Sequence, residues 1–157
     1  MIFVTVGFHY QGFERLIRKM DEIAGKIDED VIMQIGSTKY TPKNAEFFDF
    51  IDDDEKIAYY FGDARIIVAH AGAGTIMDAV RLKRPLIVVP RLQKFNEHVD
   101  DQQLELAEAI SNACKAVSVY EIDDLEAAIS RFNEFIPVYQ QHSPSLIRYL
   151  KNSIGEH

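Results

Sequence analysis

The sequence predicts an α/β domain in which a parallel, Rossmann-like sheet is covered by helices on both faces. Short apolar runs alternate regularly with amphipathic stretches along the 157 residues. The runs are apolar nearly throughout rather than at every second position, which is typical of strands buried on both faces. A chain of this length has room for one domain with a substantial core. We therefore expect residues 1–157 to form a single domain.

The first third of the chain supplies three of the predicted strands. Residues 2–6 form an apolar run that Gly7 closes. Apolar residues over 13–27 then recur at steps of three and four between charged residues, which predicts an amphipathic helix. Residues 31–35 are predicted as the second strand and residues 46–51 as the third.

The middle of the chain continues the alternation of helix and strand. Asp52 with Glu55 three residues later has the spacing of a capping box, which predicts a helix from there through Phe61. The β-branched run 65–69 is predicted as a buried strand. A glycine-rich loop follows it and leads into a helix that ends near Leu82.

Two further strands and two helices are predicted in the following stretch. Residues 86–89 are a strand between two prolines, and a helix ending near Asn112 precedes the last strand at 116–119. Asp123 with Glu126 has the capping-box spacing again and predicts a helix through Phe132.

A helix is also predicted near the end of the chain, at about 143–154. Ser143 is its expected N-cap, Pro144 fits the first turn, and Gly155 falls just past the end. An apolar stripe on this helix suits docking onto a partner or packing on its own domain equally well; it consists of Leu146, Ile147, Leu150 and Ile154.

Composition excludes several classes of protein. An apolar fraction of 47% argues against disorder, and one cysteine excludes a disulfide scaffold. A net charge of −8 argues against broad nucleic-acid binding, which needs a basic surface. No apolar run approaches the ~20 residues of a membrane span, and the first residues do not resemble a signal peptide, so we expect a cytosolic protein.

Three loops follow the carboxyl ends of predicted strands, where ligands bind in sheets of this kind: 7–12, 70–75 and 91–103. The two glycines of 70–75 allow close approach at a helix N-terminus, a setting that favours phosphate. Their spacing is equally typical of a plain turn. Asp78, one helical turn on, is either a ribose ligand or a solvated helix residue. His9 and His70 suit a structural hydrogen bond as well as a ligand contact.

Other polar clusters give weaker indications. The acidic and histidine residues of 97–101 crowd one short stretch without a distant partner, so we expect no metal there. The acidic run 52–55 is interpreted as a solvated helix start, with Mg²⁺ binding as the alternative. Cys114 lacks an activating base and is expected to be a buried small residue.

Four segments in a fixed order resemble one family of enzymes. They are the Phe-Val-Thr-Val-Gly of 3–7, the His-Ala-Gly-Ala-Gly-Thr of 70–75, and the segments 83–91 and 96–103. Together they resemble the carboxy-terminal, donor-binding half of family 28 glycosyltransferases. The nearest branches are the stand-alone UDP-GlcNAc transferase subunit of the dolichol pathway and bacterial exopolysaccharide glycosyltransferase subunits. The resemblance covers roughly residues 1–130.

The resemblance implies one half of a GT-B fold that binds a UDP-sugar. The first two loops would surround the diphosphate, Asp78 would hold the ribose, and Arg91 would be a partner for phosphate charge. Gln102 and Gln103 would bind the sugar hydroxyls. The full set of implied binding residues is Gly7, Phe8, His9, Gly72, Ala73, Gly74, Thr75, Asp78, Arg91, Asn96, Glu97, His98, Gln102 and Gln103.

The resemblance also implies that this chain is one component of a transferase. It would transfer a hexose or N-acetylhexosamine, with GlcNAc favoured, to a lipid-linked saccharide. At 157 residues there is room for one of the two GT-B domains, so a membrane-anchored partner would bind the acceptor and recruit this chain to the cytosolic membrane face. The family generally needs no divalent metal or other cofactor, because helix dipoles and basic groups stabilise the leaving UDP. No catalytic base is assigned here.

Two departures from the family pattern keep other functions open. Relatives usually have Thr or Ser where this chain has Phe8, and the stand-alone subunits usually have His where it has Gln102. A non-catalytic nucleotide-sugar-binding protein, or a homo-oligomeric α/β module, is therefore the alternative. A sugar-nucleotide epimerase or hydrolase is a third, less favoured reading, since that chemistry also uses both domains.

Overall fold

The computed structural model describes residues 1–134, in which six strands alternate with five α-helices. The strands are β1 (Ile2–Thr5), β2 (Val31–Gln34), β3 (Glu46–Phe48), β4 (Ile66–His70), β5 (Leu86–Val89) and β6 (Val117–Ser118). The helices are α1 (Glu14–Ala24), α2 (Asp54–Asp63), α3 (Ala73–Arg81), α4 (Gln102–Asn112) and α5 (Leu125–Ser130). The helix predicted at 143–154 lies outside the described residues.

All six strands form one sheet, in the order β3-β2-β1-β4-β5-β6. Every pairing is parallel. Thr5 at the end of β1 lies opposite Gln34 of β2 on one side and Ala69 of β4 on the other. The strand order reverses between β1 and β4, which makes their carboxyl ends the position where such sheets bind ligands. The predicted doubly covered parallel sheet is confirmed.

Two hydrophobic cores cover the two faces of the sheet. Successive residues of β1 point to opposite faces, so Ile2 and Val4 pack with α1 and α5 while Phe3 packs with α2, α3 and α4. Phe3 stacks on Tyr60 of α2, with ring centroids 5.1 Å apart. Because both faces are covered, β5 is apolar at every position, and the polar residues of β1, β2 and β4 stand only at the last position of each strand, Thr5, Gln34 and His70. No helix within residues 1–134 is long and apolar enough to cross a bilayer.

The two predicted capping boxes are wrong in detail. At α2 the N-cap is Asp53, whose carboxylate accepts hydrogen bonds from the backbone N–H groups of Glu55 and Lys56 at 2.9 and 3.4 Å. Asp52 therefore lies one residue before the cap. At α5 the N-cap is Asp124, and its side chain makes no capping hydrogen bond. A 3₁₀ turn over Ile122–Asp124 leads the backbone into the helix there, so the predicted Asp123–Glu126 box does not form.

Cys114 is exposed, which corrects the expectation that it is buried. It lies in the turn after α4 with φ of 55°, a left-handed conformation that carries its side chain outward. The backbone N–H groups of Cys114 and Lys115 bond back to Ser111 and Ile110, closing the helix end. Lys115, rather than Cys114, is the residue that packs inward at this turn.

Candidate functional site

His70 is the centre of the site, at the carboxyl end of β4. Its imidazole lies between Gly7, which follows β1, and Gly72, which precedes α3. A Cβ on Gly7 would lie 2.5 Å from Nε2 of His70, and a Cβ on Gly72 would lie 2.1 Å from Cε1. Gly7 also has φ of +73°, which favours glycine. The ring therefore fills the gap between the two neighbouring strand ends, and only glycine leaves it room.

The N-terminus of α3 lies directly beside this ring. Gly72 is the N-cap and has no side chain that could accept from the first-turn N–H groups. Gly74, in that first turn, is exposed, and its surroundings are empty within 4 Å of the Cβ position. The Thr75 hydroxyl lies 3.4 Å from Nε2 of His70. Backbone N–H groups, a hydroxyl and an imidazole thus converge at a positive helix end, an arrangement suited to an anion.

Asp78 lies one turn further along α3, on the exposed side of the helix. Half of its side chain is accessible, and its carboxylate pairs with Arg81 at 3.2 Å. This accessible carboxylate lies one turn from the N-terminus of α3, where it can accept hydrogen bonds from hydroxyl groups. The ribose contact stays a prediction.

Gln103 ties the ends of β4 and β5 together from the first turn of α4. Its amide oxygen accepts hydrogen bonds from the backbone N–H groups of Ala71 and Arg91, at 3.2 and 3.1 Å. Its amide nitrogen lies 3.2 Å from Nδ1 of His70. The side chain is 8% exposed. The fold therefore explains Gln103 as a residue that supports His70. The contact of Gln103 with sugar hydroxyls stays a prediction.

Arg91 lies beneath the loops rather than at their surface. Its guanidinium is wholly buried and donates to the backbone carbonyls of Val6, Gln11, Gly12 and Glu97, at 2.5 to 3.2 Å. Burial lowers the pKa of this guanidinium to about 10, and the Glu97 carboxylate opposes that shift. Arg91 holds the loop after β1 against the loop after β5. These hydrogen bonds explain the presence of a buried arginine here without any contact to a phosphate group.

The loop after β5 is fixed by further polar contacts. Glu97 is 3% exposed and forms a two-point ion pair with Arg15 of α1, both N···O distances being 3.0 Å. Asn96 has φ of 57°, and its carbonyl and side-chain oxygen accept from the Gln11 amide at 3.2 Å. Glu97 thus supports the site from below, while Asn96 is exposed on its rim.

Three rings are stacked between this loop and the loop after β1. His9 lies between Tyr10 and His98, with ring centroids 4.6 and 4.5 Å away. Nδ1 of His98 lies 3.1 Å from the carboxylate of Asp100. His98 also lines a small cleft together with Gly72 and Gln102. The stack therefore runs from exposed Tyr10 to the cleft beside the N-terminus of α3.

Phe8 forms an exposed aromatic pair with Phe50, which follows β3. The rings stack with centroids 5.8 Å apart, and their exposed fractions are 65% and 45%. Two large apolar rings in water beside Gly7 offer a flat surface for another ring. Phe8 thus forms part of an exposed aromatic surface next to Gly7.

The predicted residues gather at one edge of the sheet, but they divide into two layers. Glu97, Gln103 and Arg91 form a buried lower layer whose polar groups bond within the protein. Gly7, Ala73 and His98 are also buried, and the other predicted residues are partly or fully exposed. Sequence reasoning named His70 without choosing between a structural hydrogen bond and a ligand contact, and it left out Phe50. The signal for His70 was its place between a buried strand and the Gly-x-Gly loop, while nothing in the sequence linked Phe50 to Phe8. Within residues 1–134, no three His, Cys, Asp or Glu side chains converge in a way that would hold a metal ion.

A parallel sheet covered on both faces, with a helix N-terminus at its switch point, defines an α/β domain of the Rossmann type. Residues 1–152 match the glycosyltransferase family 28 C-terminal domain. This chain belongs to that family. The predicted family resemblance is thereby confirmed.

Similar proteins include two fungal chains described as UDP-N-acetylglucosamine transferase subunit ALG13. The Debaryomyces hansenii protein is 26% identical over 101 residues, which are 64% of this chain and 45% of that protein. The Saccharomyces cerevisiae protein is 31% identical over 110 residues, which are 68% of this chain and 52% of that protein. The match thus spans about half the length of these curated relatives.

Solved structures confirm the fold. MurG of Acinetobacter baumannii superposes with a TM-score of 0.62 and 17% identity, over 99% of this chain and 49% of that one. The solution structure of ALG13 superposes with a TM-score of 0.60 and 18% identity, over 98% of this chain and 96% of that one. The sheet is therefore that of one half of a GT-B glycosyltransferase, as the family resemblance implied.

Proposed function

We propose that this chain is the UDP-sugar-binding component of a two-component glycosyltransferase. The donor is a UDP-hexose or UDP-N-acetylhexosamine, with UDP-GlcNAc favoured, and the acceptor is a lipid-linked saccharide. Family membership and the description of the fungal relatives as UDP-N-acetylglucosamine transferase subunits support this assignment. The observation that carries it is the convergence of His70, Thr75 and the α3 N-terminus at the sheet's switch point.

In the proposed complex the donor diphosphate lies over Gly72–Thr75, where first-turn N–H groups and His70 receive its charge. The uracil stacks on the Phe8–Phe50 pair, Asp78 accepts from the ribose hydroxyls, and Gln102 faces the sugar. Transfer breaks the bond between the anomeric carbon and the β-phosphate oxygen and forms a bond to an acceptor oxygen. The helix end and His70 stabilise the negative charge that develops on the leaving UDP. No residue of this chain is assigned as the base that takes the acceptor proton.

The acceptor side of the reaction needs a second domain or a second chain opposite this edge. We assign that role to a membrane-anchored partner subunit that recruits this chain to the cytosolic face of a membrane. The description of the relatives as subunits supports a partner. The exposed ring of Tyr10 at the carboxyl edge is consistent with a surface that a partner subunit covers.

Calorimetric titration tests the donor site. The purified chain is titrated with UDP, UDP-GlcNAc, UDP-Gal and UDP-Glc, without and with Mg²⁺, and we expect metal-independent binding with a preference among the sugars. Asp78→Ala should weaken UDP binding by about 1–3 kcal/mol, the usual loss for a hydrogen bond to a charged group. Asp63→Ala, an exposed acid on α2, is the control and should bind as the unmodified chain does.

Two outcomes would contradict the proposal. No binding of any UDP-sugar, alone or with the co-expressed partner, would exclude the donor site. Tight binding without transfer in the reconstituted complex would instead favour a nucleotide-sugar-binding protein that lacks catalysis. Phe8, which stands where the family usually has Thr or Ser, is the observation that favours a non-catalytic binding protein as the second candidate.

A further inference from the structure

The side-chain amide of Gln103 has one orientation that fits its surroundings. Its oxygen accepts hydrogen bonds from two backbone N–H groups, that of Ala71 at 3.2 Å and that of Arg91 at 3.1 Å. If the amide were turned over, its NH₂ group would face these two donors and leave both without an acceptor. Because Gln103 is buried, such a loss would be unfavourable. The two backbone donors therefore fix which end of the amide is oxygen and which is nitrogen.

The orientation of this amide determines which nitrogen of His70 carries the ring proton. With its oxygen occupied, the amide directs its NH₂ group at Nδ1 of His70, 3.2 Å away. Nδ1 is then the acceptor in this contact, so it has a lone pair and no proton. In a neutral imidazole with an unprotonated Nδ1, the proton lies on Nε2. Gln103 thus selects the Nε2–H tautomer.

The position of the imidazole ring agrees with this tautomer. A ring turned over by 180° would exchange Nδ1 with Cδ2 and Nε2 with Cε1. The amide nitrogen of Gln103 would then face a carbon atom. The Thr75 hydroxyl, which lies 3.4 Å from Nε2, would also face a carbon atom. The observed ring position is the one that gives both polar neighbours a nitrogen.

The Nε2 edge of His70 faces the N-terminus of α3. Thr75, whose hydroxyl faces Nε2, lies in the first turn of this helix. A Cβ on Gly7 or Gly72 would lie 2.5 or 2.8 Å from the same nitrogen, so a side chain at either position would cover it. An N–H group here adds a donor to those of the first turn, whereas a ring lone pair would repel a phosphate oxygen. The tautomer therefore decides whether this edge attracts an anion.

We infer that Gln103 is a positioning residue of the donor site, because it sets the tautomer of His70 that directs an N–H group at the diphosphate. The inference rests on the proposed function and deepens it. Gln103 acts through the ring, and this role requires no contact with the donor. It differs in this respect from the contact with sugar hydroxyls that the family resemblance implies.

NMR of the imidazole nitrogens tests the tautomer directly. Correlations between the ring protons and nitrogens of the ¹⁵N-labelled chain distinguish protonated from unprotonated nitrogens, and the signals of His70 are those that His70→Gln lacks. At about pH 8, above the ordinary pKa of histidine, we expect Nε2 of His70 to carry the proton and Nδ1 to carry none.

Substitution of Gln103 tests what sets the tautomer. Gln103→Glu keeps an oxygen for the two backbone N–H groups but removes the donor to Nδ1, so Nδ1 of His70 should gain a proton in this variant. Gln93→Glu makes the same change at an exposed glutamine in the loop after β5. It is the matched control and should leave Nδ1 unprotonated.

Two substitutions of His70 test which nitrogen meets the ligand. Glutamine reaches as far as Nε2 of histidine and can place an amide N–H there, whereas the shorter asparagine reaches the position of Nδ1. In calorimetry we expect His70→Gln to bind UDP within about threefold of the unmodified chain and His70→Asn to bind it about tenfold more weakly, the usual effect of one lost hydrogen bond to a charged group. Gln103→Glu should change the affinities for UDP and UDP-GlcNAc by the same factor, since both contain the diphosphate.

A proton on Nδ1 in the unmodified chain, or a ring that Gln103→Glu leaves unchanged, would overturn the inference. Equal UDP binding by the two His70 variants would also overturn it, as would an effect of Gln103→Glu on UDP-GlcNAc alone, because that effect would place Gln103 against the sugar. If Gln103→Glu does not fold, the tautomer of the unmodified chain and the two His70 variants still decide.

Failure of the inference is distinguishable from failure of the proposed function. A chain that has the expected tautomer but binds no UDP lacks the donor site. A chain that binds UDP with the ring proton on Nδ1 has the donor site, and Gln103 then has no positioning role in it.

Discussion

The imidazole of His70 determines which residues can flank it. Gly7 and Gly72 both lie within contact distance of the ring at their Cβ positions, so the packing of the free protein explains both glycines. Gly74 is different, because its Cβ position meets no atom within 4 Å. Packing does not require a glycine at this position in the first turn of α3. This glycine is consistent with the close approach of a ligand to the backbone.

Replacing Gly74 by alanine should therefore separate stability from binding. Gly74→Ala is expected to raise the free energy of unfolding by up to about 1 kcal/mol, because alanine favours the helix. It should also weaken UDP binding, because the new methyl group would lie where we propose that the diphosphate binds. Urea denaturation and calorimetry on the same variant measure the two effects.

Gly62→Ala is the matched control for this experiment. Gly62 lies in α2, and its Cβ position is also empty within 4 Å. We expect the same gain in stability with no change in UDP affinity. If both alanine variants bind UDP equally well, the diphosphate does not lie over the first turn of α3.

At the scale of elements, the loops after β1 and β5 depend on one buried cation. Arg91 contacts four backbone carbonyls in these two loops. Arg91→Met should lower the free energy of unfolding by about 2–4 kcal/mol, since it leaves buried carbonyls without donors. Arg81→Met, a change at a largely exposed arginine of α3, should alter stability by less than about 1 kcal/mol. Urea denaturation compares the two, and equal losses would mean that Arg91 does not hold the loops.

Asp21 holds the long connection between β2 and β3. Its buried carboxylate accepts from the Tyr40 hydroxyl at 2.6 Å and from the backbone N–H groups of Lys43 and Asn44. Burial alone would raise the pKa of Asp21, but these hydrogen bonds outweigh it and lower the pKa below its ordinary value. The connection is thus fixed to α1 by one charged group.

Stability should depend on the charge of Asp21 in a defined pH range. Because its pKa is lower in the folded chain, the ionised carboxylate stabilises the fold above about pH 4 and loses this effect as the pH falls through the folded pKa. Asp21→Asn should lower the free energy of unfolding by about 1–3 kcal/mol at pH 7 and by less near pH 3. Denaturation at both pH values checks this, and a pH-independent difference would contradict it.

Strands were more predictable from the sequence than helix starts were. Strands buried on both faces are apolar at every position, so residues 86–89 could be assigned from composition alone. The acidic run before α2 offers three successive aspartates, Asp52 to Asp54, and each has the chemistry of a cap. Which one caps the helix depends on where the chain leaves β3, and that is a tertiary property.

For the whole molecule, the sequence predicted the location of the site but not its two layers. The alternation of strands and helices predicts a parallel sheet, while the position of the switch point follows from the strand order that the structure shows. The family resemblance assigned Arg91 and Glu97 to the pocket, whereas the structure buries both of them. Their burial depends on partners far along the chain, Val6 and Arg15, which no local pattern joins to them.

The central position of β1 has a consequence for the biosynthesis of the chain. β1 and β2 emerge from the ribosome before β4, yet the other edge of β1 pairs with β4, which ends at His70. At about 5–20 residues per second, the interval between Gln34 and His70 lasts about 2–7 s. During those seconds the nascent chain exposes an unpaired apolar strand in the middle of the future sheet. A chain arrested there is expected to aggregate or to recruit a chaperone, because an unpaired strand edge is a template for other chains.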